Sequence, residues 1–286
     1  MRSLYIFISA IVLIGCQQED LTPSFLRIDS IELSTDGTTE GDDSHDIVDA
    51  WIYLDNAPLG VHEMPFVMPV LEEGEHQLTI FPGIKKNGIS ASRIIYPFYD
   101  RWEATVNFVK EDTLVITPVV SYKNNVEMAL LEDFEDAGID FVKYGESDTS
   151  IQFVDDPSIV KYGSKCGGIS LNTEDSILLV KTISNLNLDR TNDCFIELDY
   201  MNNNTFGFGL IAYEGPVQLD QPILYIWNAQ NNAEMQWKKI YINLWEEVSA
   251  PLNTTSAYGI YFLSRLDEEN SFGNIYVDNI KIVKYQ

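Results

Sequence analysis

The chain has 286 residues, 45% of them hydrophobic and 12% aromatic, which is enough for two domains with a core each. Its 44 acidic residues outnumber its 18 lysines and arginines, and the formal net charge is −26. A surface this acidic repels phosphate backbones, so the composition argues against nucleic acid as a partner.

The first predicted element is an export signal. Arg2 precedes an uncharged stretch over residues 4–14, which is shorter than the roughly 20 apolar residues that span a bilayer and has the layout of a secretory signal. The "LIGC" that ends at Cys16 resembles the lipobox of bacterial lipoproteins. The resemblance implies a signal peptide over residues 1–15 and a diacylglycerol on the Cys16 sulfur, which would anchor the protein to a membrane. The alternative is an ordinary signal peptide that contains a cysteine.

Residues 16–24 are predicted to be a tether. Their "QQED" over residues 17–20 is similar to the export signal of surface lipoproteins in one gram-negative phylum. The resemblance implies a lipid-anchored protein of the outer membrane, displayed at the cell surface. A polar spacer without an export role is the alternative.

Beyond the tether, short runs rich in Val, Ile, Tyr and Phe alternate with polar residues and end at Gly, Asn, Asp or Pro. This pattern is typical of all-β sandwiches. We therefore predict an all-β protein with two β-sandwich domains, over residues 25–122 and 126–286. In the first, Asp55 and Asn56 are expected to form the turn of a β-hairpin.

The first domain contains "WIYLDNAPLGVHEMPFVMPVLEEGEHQLTIFPGIKKNG" over residues 51–88. This stretch resembles the PEGA family of small exported β domains, although Asn56 stands where that family usually has Gly. The resemblance implies an immunoglobulin-like sandwich with a structural or interaction role and no chemistry of its own.

The second domain contains, in order, "ALLEDFED", "VKYGSKCGGISL", "CFIELDYMNNNTFGFGLIAYE", "MQWKKIYINLWEEV" and "NSFGNIYVDNIKIVKY". This series resembles the jelly-roll carbohydrate-binding modules. The resemblance implies a jelly-roll sandwich that binds glycans, although the fold also hosts adhesion and structural roles. It further implies a structural Ca²⁺ held by hard oxygen ligands from separate strands, here Glu135, Asp133 and Asp278. Surface acidity alone is the alternative explanation of these carboxylates.

Alternate residues of a strand face opposite sides, which sorts the side chains from residue 237 to residue 245. The even positions are mostly aliphatic and are predicted to face the core: Lys238, Ile240, Ile242 and Leu244. The odd positions mix aromatic and polar groups, which suits the apolar faces and hydroxyls of sugar rings. The predicted ligand-binding residues are Trp237, Tyr241 and Trp245, with Tyr225 and Trp227 on a neighbouring strand. A second hydrophobic layer without a ligand is the alternative.

Two cysteines remain besides the predicted lipid acceptor, Cys166 and Cys194. An exported protein meets an oxidising compartment, where they are able to form a disulfide. The alternative is that both are small buried core residues.

No enzymatic activity is predicted. "IELDYM" resembles the Glu-x-Asp-x-Glu of laminarinase-type glycoside hydrolases in Glu197 and Asp199, but Met201 replaces the second Glu, the acid/base of those enzymes. The expected protein is therefore a non-catalytic binding head for a glycan or an envelope protein. The alternative is a structural lipoprotein of an envelope assembly with no small-molecule ligand.

Overall fold

The computed structural model of the chain describes residues 22–227, 235–250, 255, 257–268 and 270–286. The predicted signal peptide, Cys16 and the tether up to residue 21 lie outside the described residues. Within them the regular structure consists of 21 β-strands and one five-residue helix, which confirms the all-β prediction. No helix in the described part of the chain has the length and apolar character needed to cross a membrane.

The first ten strands form the N-terminal unit, residues 22–122. In chain order they are β1 Ser24–Ile28, β2 Glu32–Leu33, β3 Asp49–Leu54, β4 Ala57–Glu63, β5 Phe66–Val70, β6 Gly74–Lys85, β7 Arg93–Ile95, β8 Trp102–Phe108, β9 Thr113–Ile116 and β10 Val119–Val120. One sheet has the order β4-β3-β6-β7, with β8 also paired to β6. A second has the order β5-β1-β9, and β2 pairs with β10.

The predicted hairpin turn is confirmed. Asp55 and Asn56 join β3 to β4 with φ values of 49° and 66°. Two consecutive residues in the left-handed region are what a two-residue type I′ turn requires, and Asn and Asp tolerate that region better than most side chains. Asn56 therefore adopts the left-handed backbone conformation for which a glycine would otherwise be expected at this position.

The remaining strands form the C-terminal unit, residues 126–286. They are β11 Val126–Glu132, β12 Phe141–Lys143, β13 Gln152–Val154, β14 Cys166–Asn172, β15 Ile177–Thr182, β16 Cys194–Asn202, β17 Phe206–Glu214, β18 Val217–Ile226, β19 Lys238–Asn243, β20 Ala257–Arg265 and β21 Phe272–Tyr285, with helix α1 Trp245–Ser249 between β19 and β20. A six-stranded sheet has the order β13-β14-β21-β16-β19, with β11 paired to β21. A five-stranded sheet has the order β12-β15-β20-β17-β18.

The core of the C-terminal unit lies between these two sheets and is built by strand alternation. Every second residue of β20 faces inward, including Ile260 and Phe262, and the same holds for Phe206 and Phe208 of β17. Ile282 of β21 meets them from the six-stranded sheet. Burying each such side chain stabilises the fold by roughly 1.5–3 kcal/mol. The two facing sheets form the second sandwich that the sequence predicts.

The outer face of the six-stranded sheet is covered by the N-terminal unit. Phe195 of β16, Tyr241 of β19 and Val283 of β21 belong to the same buried cluster as the core of that unit. The ring of Tyr96 lies 5.4 Å from that of Phe195 and 4.9 Å from that of Tyr241. The two units therefore share one apolar core at their junction, while the predicted domain boundaries stay a prediction.

Candidate functional site

The structure bears out part of the periodicity predicted around Trp237. Ile240 and Ile242 of β19 face the core of the C-terminal unit, as expected. Trp237 precedes the strand and is half-buried, whereas Trp245 begins α1 and is 46% exposed. The two tryptophans therefore do not lie on one strand face.

The assignment of Tyr241 to a ligand-binding surface is wrong. Its side chain is only 1% exposed, because the N-terminal unit covers this side of β19. Its hydroxyl lies 3.2 Å from that of Tyr99 and accepts a hydrogen bond from the backbone N–H of Asp46 at 3.1 Å. Tyr241 is a residue of the junction between the units.

Tyr225 and Trp227 do not lie on a strand that neighbours β19, contrary to the prediction. Tyr225 lies in β18, at the edge of the five-stranded sheet, and Trp227 directly follows that strand, whereas β19 belongs to the opposite sheet. Tyr225 is 47% exposed and Trp227 is 73% exposed. Both are therefore accessible to a ligand, on a different surface from the one expected.

These two residues belong to an aromatic surface on the outer side of the five-stranded sheet. Tyr261 lies between Ile260 and Phe262, which both face the core, so its own side chain points outward. Tyr213 follows Ala212 of β17, whose side chain lies in the core, so the side chain of Tyr213 also points outward. We call this surface the aromatic face; its residues are Tyr144, Tyr213, Tyr225, Trp227 and Tyr261.

Glycines in β17 make room for the rings of this face. Gly207 pairs with Tyr225 and Gly209 with Tyr261. A Cβ at Gly209 would lie 2.4 Å from a ring atom of Tyr261, and one at Gly207 would lie 2.8 Å from the ring of Tyr225. The rings therefore occupy the space directly over the glycines, close to the sheet.

Polar groups accompany the rings. The hydroxyl of Tyr144 donates to Asp220, at 3.0 Å from the nearer carboxylate oxygen. The Nζ of Lys181 lies 4.8 Å from the ring centre of Tyr144 and 5.5 Å from that of Tyr213. Burial and the Asp220 carboxylate raise the pKa of Tyr144, and the same two causes raise the pKa of Tyr261 to about 12. These phenols are therefore neutral hydrogen-bonding groups at physiological pH.

A hollow of about 510 Å³ lies beside Tyr225 and Trp227. Its walls include the apolar side chains Ile177, Leu179 and Leu263, and its rim carries Arg265, Asp267 and Glu268. The volume lies within the range of roughly 300–1,000 Å³ that is typical of small-molecule sites. Apolar walls, exposed rings and a polar rim together suit a ligand with both apolar faces and hydroxyl groups.

The carboxylates of the laminarinase-like segment lie in a buried polar cluster at the junction. This junction cluster consists of Ser44, Tyr96, Tyr122, Glu197, Asp199 and Lys239. Glu197 accepts hydrogen bonds from Tyr96 at 2.7 Å and Tyr122 at 2.8 Å. Ser44 donates to Asp199, and the Nζ of Lys239 lies 3.4 Å from oxygens of both Glu197 and Asp199. Burial opposes the charge of Lys239, but the attraction of the two carboxylates outweighs it and raises the pKa of the lysine. Glu197 and Asp199 therefore serve the junction and do not face solvent.

The described residues do not bring the predicted calcium ligands into a metal site. Glu135 accepts hydrogen bonds from the backbone N–H groups of Ser164 at 2.7 Å and Lys165 at 2.9 Å. Asp133 accepts one from the backbone of Glu135, while Asp278 is buried with one oxygen unpartnered. No cluster of three or more potential metal-binding side chains occurs in the described part of the chain. The structural Ca²⁺ stays a prediction.

The predicted disulfide is not formed. Cys166 and Cys194 are both free and buried. Burial raises the pKa of each thiol to about 12, so neither is a reactive thiolate at neutral pH. Both cysteines are therefore small buried residues of the core, as the alternative interpretation has it.

No protein-family model matches the chain, and no curated protein matches it either. Among solved structures it is similar to β-sandwich carbohydrate-binding modules. A family 28 module specific for non-crystalline cellulose is 15% identical, with a TM-score of 0.38 over 53% of this chain and 91% of the module. A family 11 module from Clostridium thermocellum, in complex with a β-1,3-1,4-mixed-linked tetrasaccharide, is 18% identical, with a TM-score of 0.37 over 55% of this chain and 94% of the module. A third structure, from work on carbohydrate-binding modules of the β-sandwich superfamily, is 11% identical, with a TM-score of 0.39 over 91% of this chain and 98% of that chain. At these identities and TM-scores the similarity carries no information on a ligand of this chain.

Sequence reasoning misses three tyrosines of the aromatic face and the two charged residues beside them: Tyr144, Tyr213 and Tyr261, with Lys181 and Asp220. A signal for part of the surface is present in "FGFGLIAYE", where glycines alternate with core residues over residues 206–214. Because glycine is unfavourable inside a strand, such alternation indicates that another group lies close to that side of the strand. Which rings fill the space depends on strand pairing and cannot be read from the segment itself.

Proposed function

We propose that this protein is a non-catalytic glycan-binding lipoprotein, and that the aromatic face holds the sugar rings. The observation that carries the proposal is the pair Tyr225 and Trp227, which project from one strand edge into solvent beside an apolar hollow. Exposed aromatic side chains grouped around a concavity are typical of a recognition surface.

The chemistry of the surface suits neutral sugars. Pyranose rings have apolar C–H faces that pack on aromatic planes, and their hydroxyls need donors and acceptors at the edge. The charged groups within the face are already engaged, since Asp220 accepts from Tyr144 and Lys181 lies against two tyrosine rings. The binding energy would come mainly from stacking, so the expected affinity is weak.

The absence of catalysis is part of the proposal. A retaining glycosidase needs two carboxyl groups about 5 Å apart on either side of the scissile bond. The carboxylates with a glycosidase-like spacing, Glu197 and Asp199, are buried in the junction cluster and are separated from the aromatic face by the core between the sheets.

A glycan array followed by affinity electrophoresis of the detergent-purified full chain tests the proposal. Trp227→Ala should weaken binding by about tenfold or more, the loss expected when one stacking contact of about 1.4 kcal/mol is removed. Trp245→Ala is the matched control, because Trp245 is also exposed but follows β19 of the opposite sheet. Its binding should equal that of the unaltered chain.

Two results would contradict the proposal. Retention of no neutral glycan above background would remove the binding function and favour a structural lipoprotein. Loss of binding in Trp245→Ala but not in Trp227→Ala would move the site away from the aromatic face.

The lipid anchor belongs to the same proposal and rests on the lipobox-like sequence before Cys16. A diacylglycerol thioether at Cys16 would hold the two units at the outer membrane, with the aromatic face available at the cell surface. Mass spectrometry of the isolated protein should find a chain that begins at a lipidated Cys16. Retention of residues 1–15, or an unmodified sulfur at Cys16, would refute the lipid anchor. Surface exposure is measured separately, by protease treatment of intact cells.

A further inference from the structure

The apolar hollow beside the aromatic face has a volume of about 510 Å³, and aliphatic side chains that point away from the core form its floor. On β20, Leu263 follows the core residue Phe262, so its side chain faces the outer side of the five-stranded sheet. Leu179 of β15 pairs with Leu263 on one side, and Gly207 of β17 pairs with it on the other. Gly207 pairs in turn with Tyr225 of β18. Leu179, Leu263 and Tyr225 therefore line up across the sheet, with a glycine between the last two.

The hollow continues the aromatic face along the strands. Tyr261 lies two residues before Leu263 on β20, so both side chains point to the same side of the sheet. On the neighbouring strand, Lys181 pairs with Tyr261 and Leu179 pairs with Leu263. A ligand that extends along β20 from Tyr261 therefore passes over Leu263 and enters the hollow.

Among the described residues that line the hollow, the partly or fully buried polar groups are already hydrogen-bonded within the protein. The hydroxyl of Ser264 donates to the carbonyl oxygen of Thr205 at 2.6 Å. The carboxylate of Asp267 accepts from the backbone N–H and the hydroxyl of Thr205, at 3.0 and 3.3 Å. The two other charged residues of the lining, Arg265 and Glu268, are exposed to solvent.

This lining favours a methyl group over a hydroxyl group at the same place on a ligand. A hydroxyl that enters the floor gives up its hydrogen bonds to water and meets the carbon atoms of Leu179 and Leu263, which offer it no partner. A methyl group at that place removes apolar surface from water, which corresponds to about a fourfold gain in affinity for each buried carbon. Tyr225 and Trp227 add exposed ring surface on which a pyranose packs. The hollow therefore suits a sugar ring with an apolar substituent.

We infer that the hollow binds a neutral sugar that carries a methyl group where an ordinary hexose carries a hydroxyl group, either a 6-deoxyhexose or an O-methylated hexose. The sugar ring packs on Trp227, the methyl group lies against Leu179 and Leu263, and the remaining hydroxyls face solvent at the rim. This inference rests on the proposed function of the aromatic face and narrows its ligands to one class of sugar.

Ligand-observed NMR titrations of the detergent-purified full chain test the inference with pairs of sugars that differ by one group. The pairs are 6-deoxy-D-glucose and D-glucose, L-fucose and L-galactose, L-rhamnose and L-mannose, and 3-O-methyl-D-glucose and D-glucose. In at least one pair the methyl-bearing sugar should bind at least about fourfold more tightly, which is the gain from one buried methyl group. A preference confined to the 6-deoxy pairs or to the O-methyl pair identifies the kind of methyl group that the hollow takes.

Three variants locate the preference. Leu263→Thr replaces apolar surface of the floor by a hydroxyl group and should lower the ratio of the two affinities to below about twofold. Leu71→Thr makes the same change at a leucine of the N-terminal unit that is 58% exposed, and should leave the ratio as it is in the unaltered chain. Trp227→Ala should weaken both sugars of each pair, because both pack their rings on the indole.

The outcomes separate this inference from the proposed function. Equal binding of both sugars in every pair by the unaltered chain would overturn the inference and leave the proposed function standing, and this comparison holds whether or not Leu263→Thr folds. The same conclusion follows if other neutral glycans bind and none of these sugars does, or if a folded Leu263→Thr keeps the full preference. Binding of no neutral glycan of any kind would overturn both.

Discussion

Asp278 is a buried carboxyl with one oxygen that has no hydrogen-bond partner in the structure. Its other oxygen accepts a hydrogen bond from the backbone N–H of Asn279 at 2.8 Å. Burial raises the pKa of Asp278 from 3.8 to about 8, and the negative charges of nearby aspartates, Asp199 foremost, add to the effect. The folded protein therefore keeps a proton on Asp278 at neutral pH.

The pH dependence of stability provides a test of this proton. Because the folded-state pKa of Asp278 lies above its unfolded value, its contribution to stability is fully present below about pH 4 and is lost as the pH rises through about 8. In Asp278→Asn the side chain stays neutral, so the melting temperature should fall less between about pH 5 and about pH 9 than in the unaltered chain. Thermal melts across this range measure the difference. Asp155→Asn alters an exposed carboxylate and serves as the control, so its melting temperatures should follow those of the unaltered chain. If the melting temperatures of all three proteins changed with pH in the same way, Asp278 would not carry a proton in the folded state.

Strand β17 serves two surfaces at once. Phe206, Phe208 and Leu210 fill the core on one side, while Gly207 and Gly209 leave space on the other for rings from the adjoining strands. Glycine weakens a strand because it loses more conformational entropy on folding and packs no side chain. Cross-strand aromatic rings over the glycines compensate by shielding the backbone, as in aromatic rescue.

The substitution Gly209→Ala tests this arrangement. The new Cβ would lie 2.4 Å both from a ring atom of Tyr261 and from the backbone carbonyl oxygen of Gln221, and the backbone is not free to move aside. We expect a loss of about 1–3 kcal/mol in the free energy of unfolding, typical of overpacking, measured by urea denaturation. Gly138→Ala is the control, since a Cβ there meets nothing within 4 Å. Equal stability of the two variants would show that the Tyr261 ring is not fixed over β17.

At the scale of the whole molecule, the two units are joined by apolar and polar contacts that neither unit completes alone. Phe195 and Tyr241 of the C-terminal unit pack into the core of the N-terminal unit. In the junction cluster, Tyr96 and Tyr122 of one unit donate to Glu197 of the other. We therefore expect the two units to unfold in one cooperative transition, with a single peak in calorimetry.

Removal of the Lys239 ammonium group should destabilise both units together. Lys239→Met leaves Glu197 and Asp199 without their shared lysine, and breaking a buried ion pair from one side costs about 3–5 kcal/mol. Lys284→Met is the matched control, because the pair of Lys284 with Glu127 is partly exposed and such pairs contribute about 1 kcal/mol or less. Chemical denaturation followed by tryptophan fluorescence measures both variants, and a similar loss in each would show that the junction cluster does not hold the units together.

Local sequence patterns predict where the strands lie, but they do not predict which other parts of the chain pack against each strand face. The alternation around Ile240 and Ile242 assigns those residues to the core, because a strand's period is a property of its own backbone. The same alternation places Tyr241 on the other side but does not reveal that a second unit packs there. Tyr225 is assigned to the wrong sheet because β18 pairs with β17, and pairing between strands is decided by contacts outside both segments.

The 14-residue strand β21 lies in the middle of the six-stranded sheet and pairs with β11, β14 and β16, all of which precede it in the chain. The edges of those three strands that pair with β21 have no partner until β21 has been synthesised. Assembly of the sheet is therefore a late event that closes loops of more than 70 residues between β16 and β21, and such distant pairings make folding slow. Until then the unpaired edges are open to association with other chains, so the sheet is most prone to misassembly in the interval before β21 joins it.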